Sequence, residues 1–127
     1  MIAANKGEAL FWRSEIVFWG DRLAAHSAQL SYERFAKDSL AVDAFCWCIS
    51  CIGETAARLL NTDSGLLKNA GLTAALRSAT SARNRYVHGY FDLETRIVWD
   101  AAMIAVPSLV AALKRHYLAS GSDDGRP

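Results

Sequence analysis

Two arginines, an asparagine, a histidine and two tyrosines fall within the eight residues Arg83-Asn84-Arg85-Tyr86-Val87-His88-Gly89-Tyr90. Arginine presents a fixed fork of N–H donors that matches phosphate oxygens. Histidine both takes and gives a proton in the physiological range. Together they suit cleavage of an RNA phosphodiester without a metal. Imidazole activates the 2′-hydroxyl or protonates the leaving oxygen, and guanidinium stabilises the charge that builds on phosphorus. From Arg77 to Arg96 there are four arginines against Asp92 and Glu94, while the whole chain carries a net charge of only +1. That near-neutrality excludes a general electrostatic nucleic-acid binder, so phosphate recognition has to be local.

Geometry constrains this cluster. Five residues along an unbroken helix place positions 83 and 88 about 140° apart around the axis, too divergent to share one phosphate. Either the helix opens before His88, as Gly89 permits, or two copies complete the site across a symmetric dimer. A third reading makes Arg83 and His88 ordinary helix-end residues that bond the last carbonyls. Asn84 orients the phosphate or caps a turn, and Arg85 extends the basic patch or is simply solvated. Glu54 is an indirect site residue or an i,i+4 ion-pair partner of Arg58. Tyr86 is expected at a subunit interface, His116 as a helix-end cation, and His26 as a half-buried, hydrogen-bonded residue. The three cysteines, Cys46, Cys48 and Cys51, lie about 200° and 140° apart measured from Cys46, so they do not converge on a metal. They read as small buried hydrophobes, and no metal site is expected.

The elements that must carry these residues are helical. The chain has 127 residues, 52% hydrophobic and 21% charged, which is one domain with a packed core. Trp12, Ile16, Trp19, Leu23 and Leu30 form a stripe predicting a helix over about residues 7–31. Val42, Phe45, Ile49, Ile52, Ala56 and Leu59 predict a second, capped by Asp38 or Ser39. A further row on that helix, Trp47, Cys51, Glu54 and Arg58, lies on a neighbouring face, as if the helix were buried by its own bundle and by another subunit. A third helix runs from Leu66 or Leu72 to about Arg85. A fourth runs from Glu94 or Thr95 to about Leu118, kinked near Pro107. The expectation is therefore an all-α, antiparallel four-helix bundle over residues 1–118 with a flexible polar tail over 119–127. With no secretory core at the N-terminus and no uninterrupted apolar run of spanning length, it is expected in the cytoplasm and off the membrane.

The spacing Arg83-Asn84-x-x-x-His88-x-Tyr90 resembles the R-x4-H-x-Y signature of HEPN domains, in their HepT-like branch. Glu33 to Asp38, the segment Ile52-Gly53-Glu54, residues 87–92, Ile97-Val98-Trp99 and Pro107 resemble that family too, so the likeness covers about residues 14–118. It implies a metal-independent endoribonuclease toxin of a toxin–antitoxin pair. Its catalytic residues would be Arg83 and His88, supported by Asn84, Arg85 and Glu54, at a homodimer interface with RNA as substrate. The implied partner is an MntA-like minimal nucleotidyltransferase antitoxin that transfers AMP from ATP onto Tyr90. A phosphate placed there would block the basic site. No cofactor belongs to this chain, since Mg²⁺ would serve the partner's reaction. The dimer would either stand alone or join the antitoxin in a larger hetero-oligomer. The alternative is a non-catalytic substrate-binding or interaction subunit of such a transferase.

Overall fold

The computed structural model describes residues 6–88 and 94–119. Helix α1 spans Lys6–Ser27, α2 Tyr32–Ala36, α3 Ser39–Thr62, α4 Ala70–His88, α5 Thr95–Asp100 and α6 Val106–Ala119. A 3₁₀ turn, Ser64–Lys68, joins α3 to α4, and a π-helical turn, Ala101–Ala105, joins α5 to α6. Among the described residues there is no strand. The fold is the all-α bundle expected. The proposed tail falls, apart from Ala119, outside the described residues.

Helix α3 stands at the centre, with α1 on one side and α4 on the other, and α6 closes the bundle against α1 and α4. Neighbours run antiparallel. The Arg58 guanidinium covers the Trp12 ring, 5.1 Å from its centroid, while Trp19 shares a groove with Trp47 further back along α3. Along α1 and α6, Arg13 lies over Tyr117 and Gly20 meets Val110. The apolar stripes read from the sequence form the core: Ile16, Leu23, Phe45, Ile49, Ile52, Ala56 and Leu59 are all buried. Asp38 caps α3, its Oδ1 accepting from the Ala41 N–H at 3.1 Å.

Three boundaries differ from expectation. The first helix stops at Ser27, whose buried hydroxyl donates to the Ala24 carbonyl at 3.1 Å and fills the gap in the stripe. His26 is consequently exposed, not half-buried. After the break, Ser31 caps the short α2, accepting from the Arg34 N–H at 3.2 Å. That turn buries Phe35 against Phe45 and Trp99, with ring centroids 4.4 and 5.3 Å away. Near Pro107 the helix continues, and the irregularity is the π turn just before it. Proline has no N–H to donate, and widening the preceding turn is one way a helix absorbs that loss. Helix α3 and the continuous stretch Thr95–Ala119 each reach the length and mean hydropathy of a membrane span, although charged residues such as Asp43, Glu54, Arg96 and Asp100 interrupt both. For α3 that hydropathy reflects burial between α1 and α4, since a helix apolar over a wide arc belongs in a core.

Candidate active site

Arg83 projects from α4 toward α3 because the two helices touch there. A Cβ at Gly53 would overlap the Arg83 Cβ and lie 2.6 Å from the Ala79 carbonyl oxygen. Glycine is therefore required for this close approach. The Thr80 hydroxyl, donating to the Gly53 carbonyl at 3.4 Å and to Leu76 at 3.1 Å, ties the crossing together. The next residue, Glu54, meets Arg83: Oε1 lies 3.4 Å from Nη2. The other carboxylate oxygen, Oε2, accepts from Nε of Arg58 at 3.2 Å. The expected i,i+4 pair with Arg58 is thus formed, and the same carboxylate also reaches Arg83. Arg83 Nη1 also donates to the Asn84 Oδ1 at 2.9 Å, so Asn84 braces the arginine.

The guanidinium stays reachable, with its side chain 35% exposed. It sits at the edge of a groove of about 380 Å³ that crosses α3 between α1 and α4, lined by Trp19, Trp47, Cys51, Glu54 and Arg83 among others. A second groove of about 390 Å³, between α1 and α6, is lined by Arg13, Val17, Leu113 and Tyr117 and holds none of the expected site residues. Of the row Trp47, Cys51, Glu54, Arg58, already visible in the sequence, the first three line the α3 side of the Arg83 groove. What sequence reasoning did not provide was Trp19 opposite it. The three-residue step from Ile16 along the α1 stripe could have placed it only as core.

Arg85 is exposed on α4. Arg96 leaves the basic cluster: it pairs with Asp100 at 3.5 Å and covers the Tyr32 ring at 4.6 Å. Tyr86 is buried inside the subunit at 4% exposure, against the expectation of an interface. Burial pushes its phenol up to about 12, with Cys46 adding to the effect and Arg85 opposing it. His116 lies in the last turn of α6, as expected, and its Nδ1 is 3.2 Å from the Asn69 side-chain nitrogen across the junction with α4. Burial raises the Cys46 thiol to about 11 and raises Cys48 and Cys51 as well. Neutral thiols are poor metal ligands. Among the described residues no group of three His, Cys, Asp or Glu is placed to hold a metal.

The backbone of α4 is helical through His88. The helix does not open before His88, so positions 83 and 88 keep their separation of about 140° around one axis. Tyr90 lies outside the described residues.

A helical bundle that braces an arginine with a carboxylate and an amide beside an open groove, on a helix ending in histidine, has the parts of a phosphodiester-cleaving protein. The chain matches the HepT-like ribonuclease family over residues 20–116. It belongs to that family, as the motif spacing implied. No curated protein and no solved structure matches it.

Proposed function

We propose that this chain is a metal-independent endoribonuclease toxin whose site is composite, Arg83 and His88 being brought together across a homodimer. The observation that carries the reading is the braced Arg83 at the groove edge on a helix that stays closed to His88. One subunit then has the phosphate ligand and the proton carrier on diverging faces, and two-fold symmetry can bring one subunit's arginine opposite the other's histidine. In the reaction, one imidazole takes the 2′-hydroxyl proton as that oxygen attacks phosphorus. The P–O5′ bond breaks, and the same imidazole, now protonated, returns that proton to the leaving 5′-oxygen. Arg83 holds the phosphate and stabilises its added charge. The products are a 2′,3′-cyclic phosphate and a 5′-hydroxyl. Arg85 widens the basic surface, and Glu54 and Asn84 fix the guanidinium.

Control in the cytoplasm falls to a nucleotidyltransferase antitoxin that adenylates Tyr90, two residues from His88, and places an anionic phosphate where substrate phosphate would bind. Membership of a ribonuclease family favours this over a purely binding subunit. His88→Ala should abolish both RNA cleavage and growth inhibition while circular dichroism and oligomeric mass stay unchanged. Cleavage persisting in that variant defeats the reading. With partner and ATP, the wild-type chain should gain one adenylate mass that Tyr90→Phe cannot accept.

A further inference from the structure

The four tryptophans are not equivalent. Trp12 donates its indole N–H to Glu8 at 3.2 Å and lies under Arg58. Trp19 packs edge-on against Phe18, with centroids 5.2 Å apart, and has Arg22 over it. Trp99 joins the Tyr32, Phe35 and Phe45 cluster. Trp47 alone is 64% exposed, and among the described residues no ring or cation contacts it. A single exposed aromatic is ordinary on a protein surface. This one differs because it lines the same groove as Arg83.

Trp47, Ser50, Cys51 and Glu54 are spaced at i, i+3, i+4 and i+7, so they share one face of α3. The seven residues from Trp47 to Glu54 rise about 10 Å along the helix, and Arg83 is held at the Glu54 end. A flat indole at one end of a groove and a guanidinium at the other is the arrangement that holds an unpaired nucleobase by stacking and its strand by phosphate.

We propose that Trp47 is the stacking platform for an unpaired base of the RNA, in a nucleotide within about three stacked steps of ~3.4 Å from the phosphate at Arg83. The assignment rests on the ribonuclease reading and adds to it a preference for single-stranded substrate. A paired base is stacked in its own helix and has no free face to offer. The groove is polar at its Arg83 end, with Glu54 and Arg83 both partly exposed, which suits a nucleotide better than the apolar core of a subunit contact.

The test uses the full chain and single-stranded 2′-O-methyl oligoribonucleotides, which lack the attacking hydroxyl, with binding read by fluorescence anisotropy. Trp47→Ala should raise Kd roughly 5- to 100-fold, and Trp47→Phe should restore most of the affinity. Replacing one base near the cleavage point with an abasic sugar should weaken binding to wild type and leave Trp47→Ala unaffected. An unchanged Kd in Trp47→Ala, or equal loss in both variants, overturns the platform and leaves the ribonuclease reading standing. A wild-type chain that binds no oligonucleotide overturns both. If light scattering shows Trp47→Ala changing the oligomeric mass, Trp47 is a contact with a second copy and the assignment fails.

Discussion

Glu54 divides its two carboxylate oxygens between arginines on different helices, Arg58 on its own and Arg83 on α4. Exposed pairs of this kind contribute about 0–1 kcal/mol to stability, so what the carboxylate provides is orientation: with Asn84 it restricts where the Arg83 guanidinium can point. Tyr86, three residues from Arg83 on the same helix, is held by its environment in another way. Its hydroxyl is buried and, among the described residues, has no hydrogen-bond partner. An unsatisfied buried hydroxyl costs about 1–3 kcal/mol, so Tyr86→Phe should raise stability by about 1 kcal/mol in urea unfolding. The same residue gives a pH dependence with a definite sign. Its phenol, raised by burial from the ordinary 10.0 to about 12, stays protonated more tightly in the folded chain than in the unfolded one. That contribution is complete below pH 10 and disappears as pH climbs through about 12. Cys46, raised to about 11, acts in the same direction, starting from pH 9. Unfolding free energy should therefore fall above about pH 9, with Tyr86→Phe falling less steeply than wild type between about pH 10 and 12. Parallel pH profiles would show that this phenol does not titrate with folding.

At the scale of elements, the crossing of α3 and α4 is what makes a site out of residues distant in sequence. Alanine at position 53 would drive a methyl group into the Arg83 Cβ and the Ala79 carbonyl, neither of which can swing aside. Overpacking of that kind costs about 1–3 kcal/mol, against a helix-propensity gain of up to about 1 kcal/mol. Gly53→Ala should lower the melting temperature by several degrees and reduce RNA cleavage at temperatures where the chain is still folded, because Arg83 moves away from Glu54. An unchanged melting temperature together with full activity would mean the helices separate at no cost. The helical stripes were legible in the sequence because burial repeats every three or four residues, and the Asp38 cap was legible because its chemistry is local. The α3–α4 crossing was not legible. Gly53 was visible within Ile52-Gly53-Glu54, but only the packed structure shows which carbonyl it must clear. Likewise α2 escaped notice because five residues are too few for a period, although Ser31 three residues before Arg34 was its local signal.

For the whole molecule, the decisive feature is that α4 remains helical through His88. In the proposed composite site, positions 83 and 88 diverge around the axis of one helix, and a two-fold pair supplies one phosphate with the arginine of one subunit and the histidine of the other. Activity should then depend on concentration, falling as dimers dissociate. A sharper consequence concerns mixtures. Arg83→Ala and His88→Ala homodimers should each be inactive, since every site in them lacks one partner. When the two variants are dissociated, mixed in equal amounts and allowed to re-pair, about half the dimers are mixed, and each mixed dimer has one site that receives an intact arginine from one subunit and an intact histidine from the other. Cleavage should return to about a quarter of the wild-type rate at equal total protein. If the two residues act within one chain, every site in every dimer stays broken and mixing restores nothing. Complementation therefore separates a site shared between subunits from one contained in a single helix end, in a way that neither variant alone can.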